Sequence, residues 1–386
     1  MKNKFKILFI SLLLISLSSQ AQKVRYANYW LWPKISKNKV EEIAKYDLVI
    51  LDNENIFNNK EAMYKLKEIN PNIIILCYFN SMEIFDSEHL SLYKDRPFAS
   101  TIYKYLSTTN KWWLKNYKRE IIRFDERQLM LNLSSKSESF YVSYFDKKMQ
   151  YWEFITQMHL DWVLKDSIWD GVFEDNFETV EWLALKNEKQ GVDIDCDDKA
   201  DKQKQISKFW QTGLSERLKM ILKNKPNYII MGNKGKNFLP EYTHGKMFEN
   251  FPDIYLTHDF ENYNQNMQNA LEIDTAVIFN VVDTNHYYLA FASAMLLDKP
   301  VYLSVGQQDI WRDYYLDPKD FGKAVSEATT KFNRKTYNRQ FEKGYITIIS
   351  GDDKYSSILY KIILYKNDKI IKIEGSILKQ KPDPIE

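Results

Sequence analysis

The stretch Asp170-Gly171-Val172-Phe173-Glu174-Asp175-Asn176 decides the fold class, because its apolar middle runs straight into three polar side chains. A short, unbroken apolar run suits a strand buried on both faces, as strands of parallel sheets are. Its flanks are helical in pattern. Before it, residues 145–166 carry Trp152, Ile155, Met158 and Trp162 at helical spacing, and after it an acidic loop leads to a second helical run over 204–223. A strand between two helices is the repeating element of an α/β fold.

Outward from this point the same rhythm recurs. Toward the N-terminus there are strands at 24–30, 48–51 and 73–79, with helices at 38–45 and 61–69, the second stopped by Asn70-Pro71. Toward the C-terminus, strands are expected at 227–233, 246–250, 275–282 and 300–305, with helices at 259–271 and 287–297. Eight strands separated by helices predict an α/β chain folded as a (β/α)8 TIM barrel over 22–335. It has a long insertion after strand 3, over 81–143. A small C-terminal β appendage, 336–386, is expected to pack on the barrel, with strands at 344–350 and 356–375. A sandwich would show strands in runs without helices between them, and this chain does not.

The first residues read as a cleavable signal peptide. Lys2, Lys4 and Lys6 precede an apolar run from Ile7 to Leu17, and Ser19-Gln20-Ala21 supplies a cut site near Ala21. The run is about half the roughly 20 residues of a membrane span, so no stable membrane anchor is expected after cleavage, and the protein is expected to be secreted or periplasmic. Without residues 1–21 the chain has 51 Lys and Arg against 52 Asp and Glu, which gives no basic surface for nucleic acid. About 365 residues can form one barrel domain. Cys77 falls in an apolar strand and Cys196 in an acidic loop, so a disulfide between them is not favoured. The five histidines are scattered singly, without metal-ligand spacing.

Polar residues collect where the strands stop. Asp52 and Glu54 follow strand 2, Tyr78 and Asn80 close strand 3, and Glu174, Asp175 and Asn176 close strand 4. Asn233 ends strand 5, Glu249 and Asn250 end strand 6, and Asn280 and Asp283 adjoin strand 7. In a parallel barrel these ends converge on the face that holds the active site. Each also has a plainer reading: Asp52 as a helix N-cap, Asn233 as a turn residue, Tyr78 as a core ring. Asp175 and Glu249 stand out because each ends an apolar strand and is followed by Asn. Glycoside cleavage needs two carboxyl groups across the scissile bond, one protonated and one charged. Asp175 is therefore expected to act as nucleophile or base and Glu249 as general acid, or the reverse. Asp52, Glu54, Tyr78, Asn80, Asn176, Asn233 and Asn250 would bind substrate. Trp112 and Trp113, in the insertion, would stack on a sugar face.

Four segments together resemble one known family: 170–176, Lys246-Met247-Phe248-Glu249-Asn250, Trp311-Arg312-Asp313-Tyr314-Tyr315, and Arg339-Gln340-Phe341-Glu342-Lys343-Gly344-Tyr345-Ile346-Thr347. The family is the glycosyl-hydrolase-like family 15, a set of TIM-barrel proteins similar to the endo-α-1,4-polygalactosaminidase type of barrel. The resemblance runs from about Tyr26 to Ser350. It implies a glycosidase-like barrel with Asp175 and Glu249 as site carboxylates.

The loop Asp193-Ile194-Asp195-Cys196-Asp197-Asp198-Lys199-Ala200-Asp201 spaces Asp193, Asp195, Asp197 and Asp201 as calcium ligands could be spaced. Asp198 stands where that pattern needs Gly and Lys204 where it needs Glu, and an acidic helix start is the plainer reading. No cofactor is expected to be required, with structural calcium as an option. The function expected is cleavage of a polysaccharide or oligosaccharide; the alternative is a non-catalytic carbohydrate-binding barrel.

Overall fold

The computed structural model of the chain describes residues 24–378 apart from 178–179, 253–259, 307–311, 313–314, 332–335 and 351–356. The leader over 1–21, His258, and Trp311, Asp313 and Tyr314 of the C-terminal motif lie outside the described residues. Eight parallel strands, β1 (Val24–Trp30), β2 (Leu48–Asp52), β3 (Ile74–Phe79), β4 (Gly171–Glu174), β5 (Ile229–Asn233), β6 (Gly245–Phe248), β7 (Ala276–Val281) and β8 (Val301–Val305), close a barrel in chain order. With its flanking helices this is the (β/α)8 architecture that the strand–helix rhythm predicted. Among the described residues no helix is long and apolar enough to cross a membrane.

The chain packs as two compact units, and most of one of them is residues 28–247. Here β2 pairs with β3 in a register that sets Asp52 beside Tyr78, and β3 pairs with β4 so that Phe79 lies beside Glu174. Successive strand residues face opposite sides. That alternation separates Glu174 from Asp175. The helices of this unit include α1 (Val40–Ile43), α2 (Lys60–Ile69), α3 (Pro97–Thr109), α4 (Tyr151–Met158), α5 (Val180–Gln190) and α6 (Gln203–Asn224).

One expectation is corrected here. The helix read over 145–166 begins only at Tyr151, because Lys147–Met149 pairs with Phe140–Val142 in a hairpin that turns through Asp146 at φ 53°. Gln150 and Glu153 then form a reciprocal capping box that fixes the start, and the helix widens into a π-helical turn over His159–Val163. The insertion after β3 also contains α3, which begins with Pro97 in its first turn.

The other unit includes β7, β8, α7 (Phe260–Glu272) and α8 (Tyr287–Met295), and a five-stranded antiparallel sheet. That sheet runs β9 (Thr329–Lys331), β10 (Thr336–Phe341), β11 (Gly344–Ser350), β12 (Ser357–Lys366) and β13 (Lys369–Leu378). The single span read over 356–375 is two strands, because Asn367 and Asp368 take φ of 49° and 59° and reverse the chain. Polar ties hold the sheet to its helices. Tyr337 Oη donates to Asn264 Oδ1 at 3.0 Å, Asn264 Nδ2 donates to Ser350 Oγ at 2.8 Å, and Arg339 Nη1 donates to the Met295 carbonyl at 3.1 Å.

Candidate active site

Asp175 stands one residue past β4, where the chain must turn out of the barrel. Asn176 makes that turn at φ 47°, a left-handed conformation that Asn tolerates better than most residues. The turn leaves the Asp175 carboxylate held by neutral donors. Tyr78 Oη donates to Oδ2 at 2.5 Å, Asn233 Nδ2 donates to Oδ1 at 2.7 Å, and the Asn176 N–H donates to Oδ1 at 2.7 Å. Desolvation and the adjacent Asp175 charge push the Tyr78 phenol far above its usual range, so it stays a donor. Tyr78, Asp175, Asn176 and Asn233, all expected at the site, are thus drawn together from β3, β4 and β5.

Beside them opens a cleft of about 220 Å³. Asp52, Glu54, Tyr78, Asn80, Arg96 and Glu83 contribute to its lining. Sequence reading missed Glu83, which lies in the insertion and had only its spacing from Asn80 to mark it. Its side chain is buried. Oε1 accepts from Asn80 Nδ2 at 2.6 Å, Asn176 Nδ2 at 3.2 Å and Gln128 Nε2 at 3.3 Å. Burial, then the nearby charges of Asp175 and Asp125, push its carboxyl up to about 8 against the pull of the amide donors.

The carboxylates after β2 are differently placed. Asp52 is buried and accepts from Arg96 Nη1 at 2.5 Å and from the Glu54 N–H at 2.9 Å. Its pKa is raised by burial, against the opposing charge of Arg96. Glu54, fully buried, accepts from the N–H groups of Phe98 at 3.0 Å and Ala99 at 2.8 Å. It therefore satisfies free donors at the start of α3, although burial still pushes it up to about 7. Both residues anchor the insertion as well as lining the cleft.

Glu174 turns to the helical layer. Arg217, in the middle of α6 and wholly buried, donates to Glu174 Oε1 at 2.7 Å and to Thr156 Oγ1 at 3.1 Å. The same guanidinium lies 2.9 Å from His159 Nδ1. Burial and the Arg217 charge hold His159 well below its ordinary pKa, so the imidazole is neutral and its Nδ1 accepts. Nothing in the charged pattern of α6 marked Arg217 as interior.

Trp112 and Trp113 do not serve as the expected stacking platform. Trp112 is 0% exposed, its Nε1 donates to the Glu138 carbonyl at 3.0 Å, and its ring packs on Phe154. Trp113 is 5% exposed. The Trp112 ring is thus taken up by packing on α4, and Trp113 is buried in the core. Glu249 is half-buried after β6, and the exposed Asn250 follows at φ 58°, so the second Asp/Glu-Asn step also turns through a left-handed Asn. In the acidic loop, carboxylate oxygens of Asp193, Asp195 and Asp197 lie within 4.8 Å of one another. Asp193 already accepts the N–H groups of Asp197 and Asp198, and Asp201 accepts that of Ile194 at 2.7 Å. Those bonds explain the loop's shape without a cation, while three acidic oxygens remain a donor set suited to a hard one.

Residues 67–345 match the model of hypothetical glycosyl hydrolase family 15. The chain belongs to this family. No curated protein matches it. Similar solved structures include the glycoside hydrolase domain of PelA from Pseudomonas aeruginosa, with a TM-score of 0.45 and 12% identity over 73% of this chain and 99% of that one. The noncanonic maltogenic alpha-amylase AmyB from Thermotoga neapolitana gives 0.45 and 8%, over 92% and 97%. A variant of the GH36 alpha-galactosidase AgaA from Geobacillus stearothermophilus, in complex with 1-deoxygalactonojirimycin, gives 0.48 and 10%, over 90% and 49%. As a family 15 member the chain is a glycoside-hydrolase-like barrel, for which a carbohydrate is the substrate class to consider.

Proposed function

We propose that the protein is an exported glycoside hydrolase that cleaves a polysaccharide, with Asp175 as nucleophile or base and Glu249 as the general acid. One observation carries the reading: Asp175 is aimed by Tyr78, Asn233 and its own following N–H, all neutral, and no cation among the described residues pairs with it. A carboxylate oriented in this way keeps its charge available to a developing oxocarbenium centre, whereas an ion-paired one has it compensated. Glu249 enters on its position after β6 and the family pattern. Export is supported by the Lys-rich start and apolar run of residues 1–21.

The test is release of reducing ends from a panel of neutral, acetylated and deacetylated polysaccharides. Asp175→Asn and Glu249→Gln should each abolish release while far-ultraviolet circular dichroism stays unchanged. Tight glycan retention with no product from the wild type would instead favour a binding barrel.

A further inference from the structure

Glu83 is the buried acid that this mechanism leaves unused. Its side chain is 8% exposed and lines the cleft. Three amide groups converge on Oε1, from Asn80, Asn176 and Gln128, while Oε2 has no hydrogen-bond partner among the described residues. A desolvated anionic oxygen without a partner is costly, and a neutral O–H is less so. The charged and titratable groups felt by Glu83 favour the neutral form. Asp175 and Asp125 repel a second negative charge, and Tyr78 keeps its proton. Arg96, the cation lining the same cleft, is engaged by Asp52.

We infer that Glu83 carries a proton on Oε2 at neutral pH and donates it as a hydrogen bond to an acceptor oxygen of the bound sugar. The role deepens the glycosidase reading and rests on it. Asn176 sets the register between this donor and the reacting carboxylate, since its N–H holds Asp175 Oδ1 and its Nδ2 holds Glu83 Oε1. The donor therefore recognises an acceptor oxygen of a sugar held in the cleft that Glu83 lines. An acetamide carbonyl or a hydroxyl satisfies it, and a cationic amine does not.

Two measurements test this on the full chain. First, ¹³C-carboxyl glutamate labelling compares wild type with Glu83→Gln across pH. One carboxyl resonance should titrate near 8 and vanish in the variant; titration in the ordinary carboxylate range overturns the inference even if hydrolysis is intact. Second, KM is measured on whichever polysaccharide of the panel is cleaved. The wild-type KM should rise about tenfold between about pH 6 and pH 9, Glu83→Gln should flatten that rise because its amide donates at every pH, and Glu83→Ala should be raised about tenfold throughout. A flat wild-type profile, or a Glu83→Gln variant that loses kcat by orders of magnitude at unchanged KM, overturns the donor role. If no polysaccharide is cleaved while the resonance still titrates near 8, the hydrolase reading has failed and takes the donor role with it.

Discussion

The two carboxylates that close β4 are neighbours in the chain and opposites in surroundings. Glu174 faces the helices, where a wholly buried Arg217 neutralises it and His159 and Thr156 complete the network. Asp175 faces Tyr78 and Asn233, and its partners are neutral. Strand alternation alone sends them apart, and the difference in partners decides what each can do. A charge cancelled by a guanidinium stabilises a layer of the protein. A charge aimed by phenol and amide groups remains available to a substrate.

Substitutions at this junction should separate the two roles cleanly. The largest effect is expected for Asp175→Asn, which should lower kcat by about a thousandfold or more with little change in melting temperature. Arg217→Leu should do the converse. It strands Glu174 without its cation and should cost about 3–5 kcal/mol in denaturant unfolding; a loss below about 1 kcal/mol would remove the contrast. Tyr78→Phe deletes one donor to Asp175 without touching the Glu174 side, and should lower kcat/KM by about tenfold.

A pH dependence should set Glu83 apart from both. The folded pKa of Glu83 is raised from 4.5 to about 8, so the native state binds more protons than the unfolded chain between those values. Its contribution to stability is complete below the unfolded pKa and fades as pH rises through the folded one. Wild type should therefore lose stability relative to Glu83→Gln as pH climbs through that window, read as the difference between the two melting temperatures. A difference that stays constant with pH would place the proton elsewhere.

The barrel was legible because its strands are short apolar runs ended by polar residues. Val24–Trp30 agrees residue for residue with the reading, and Leu48–Asp52 and Val301–Val305 agree within a residue. The helix inside the insertion and α5 were not legible. Pro97–Thr109 buries Phe98, Ile102 and Leu106 on one face, a short stripe lost inside a long excursion, and the weak amphipathic pattern of 180–190 hid a helix ahead of an acidic loop. At the site, residues on strand ends could be found because their position is periodic. Glu83, Arg96 and Arg217 could not, since each acquires its role from burial or from a partner more than 40 residues away. The heavy aromatic content pointed to Trp112 and Trp113 as a sugar platform, yet packing claimed both rings.

Gly213 adds a consequence at a distance from the chemistry. A Cβ on this helix residue would stand 1.9 Å from the Leu133 carbonyl oxygen, so the insertion lies directly on the backbone of α6. Two residues upstream, Leu131 borders the cleft, and its N–H is bonded to the Met82 carbonyl at 2.8 Å. A methyl group added at position 213 would therefore press on Leu133 from the outer layer, two residues along the chain from a side chain that lines the cleft.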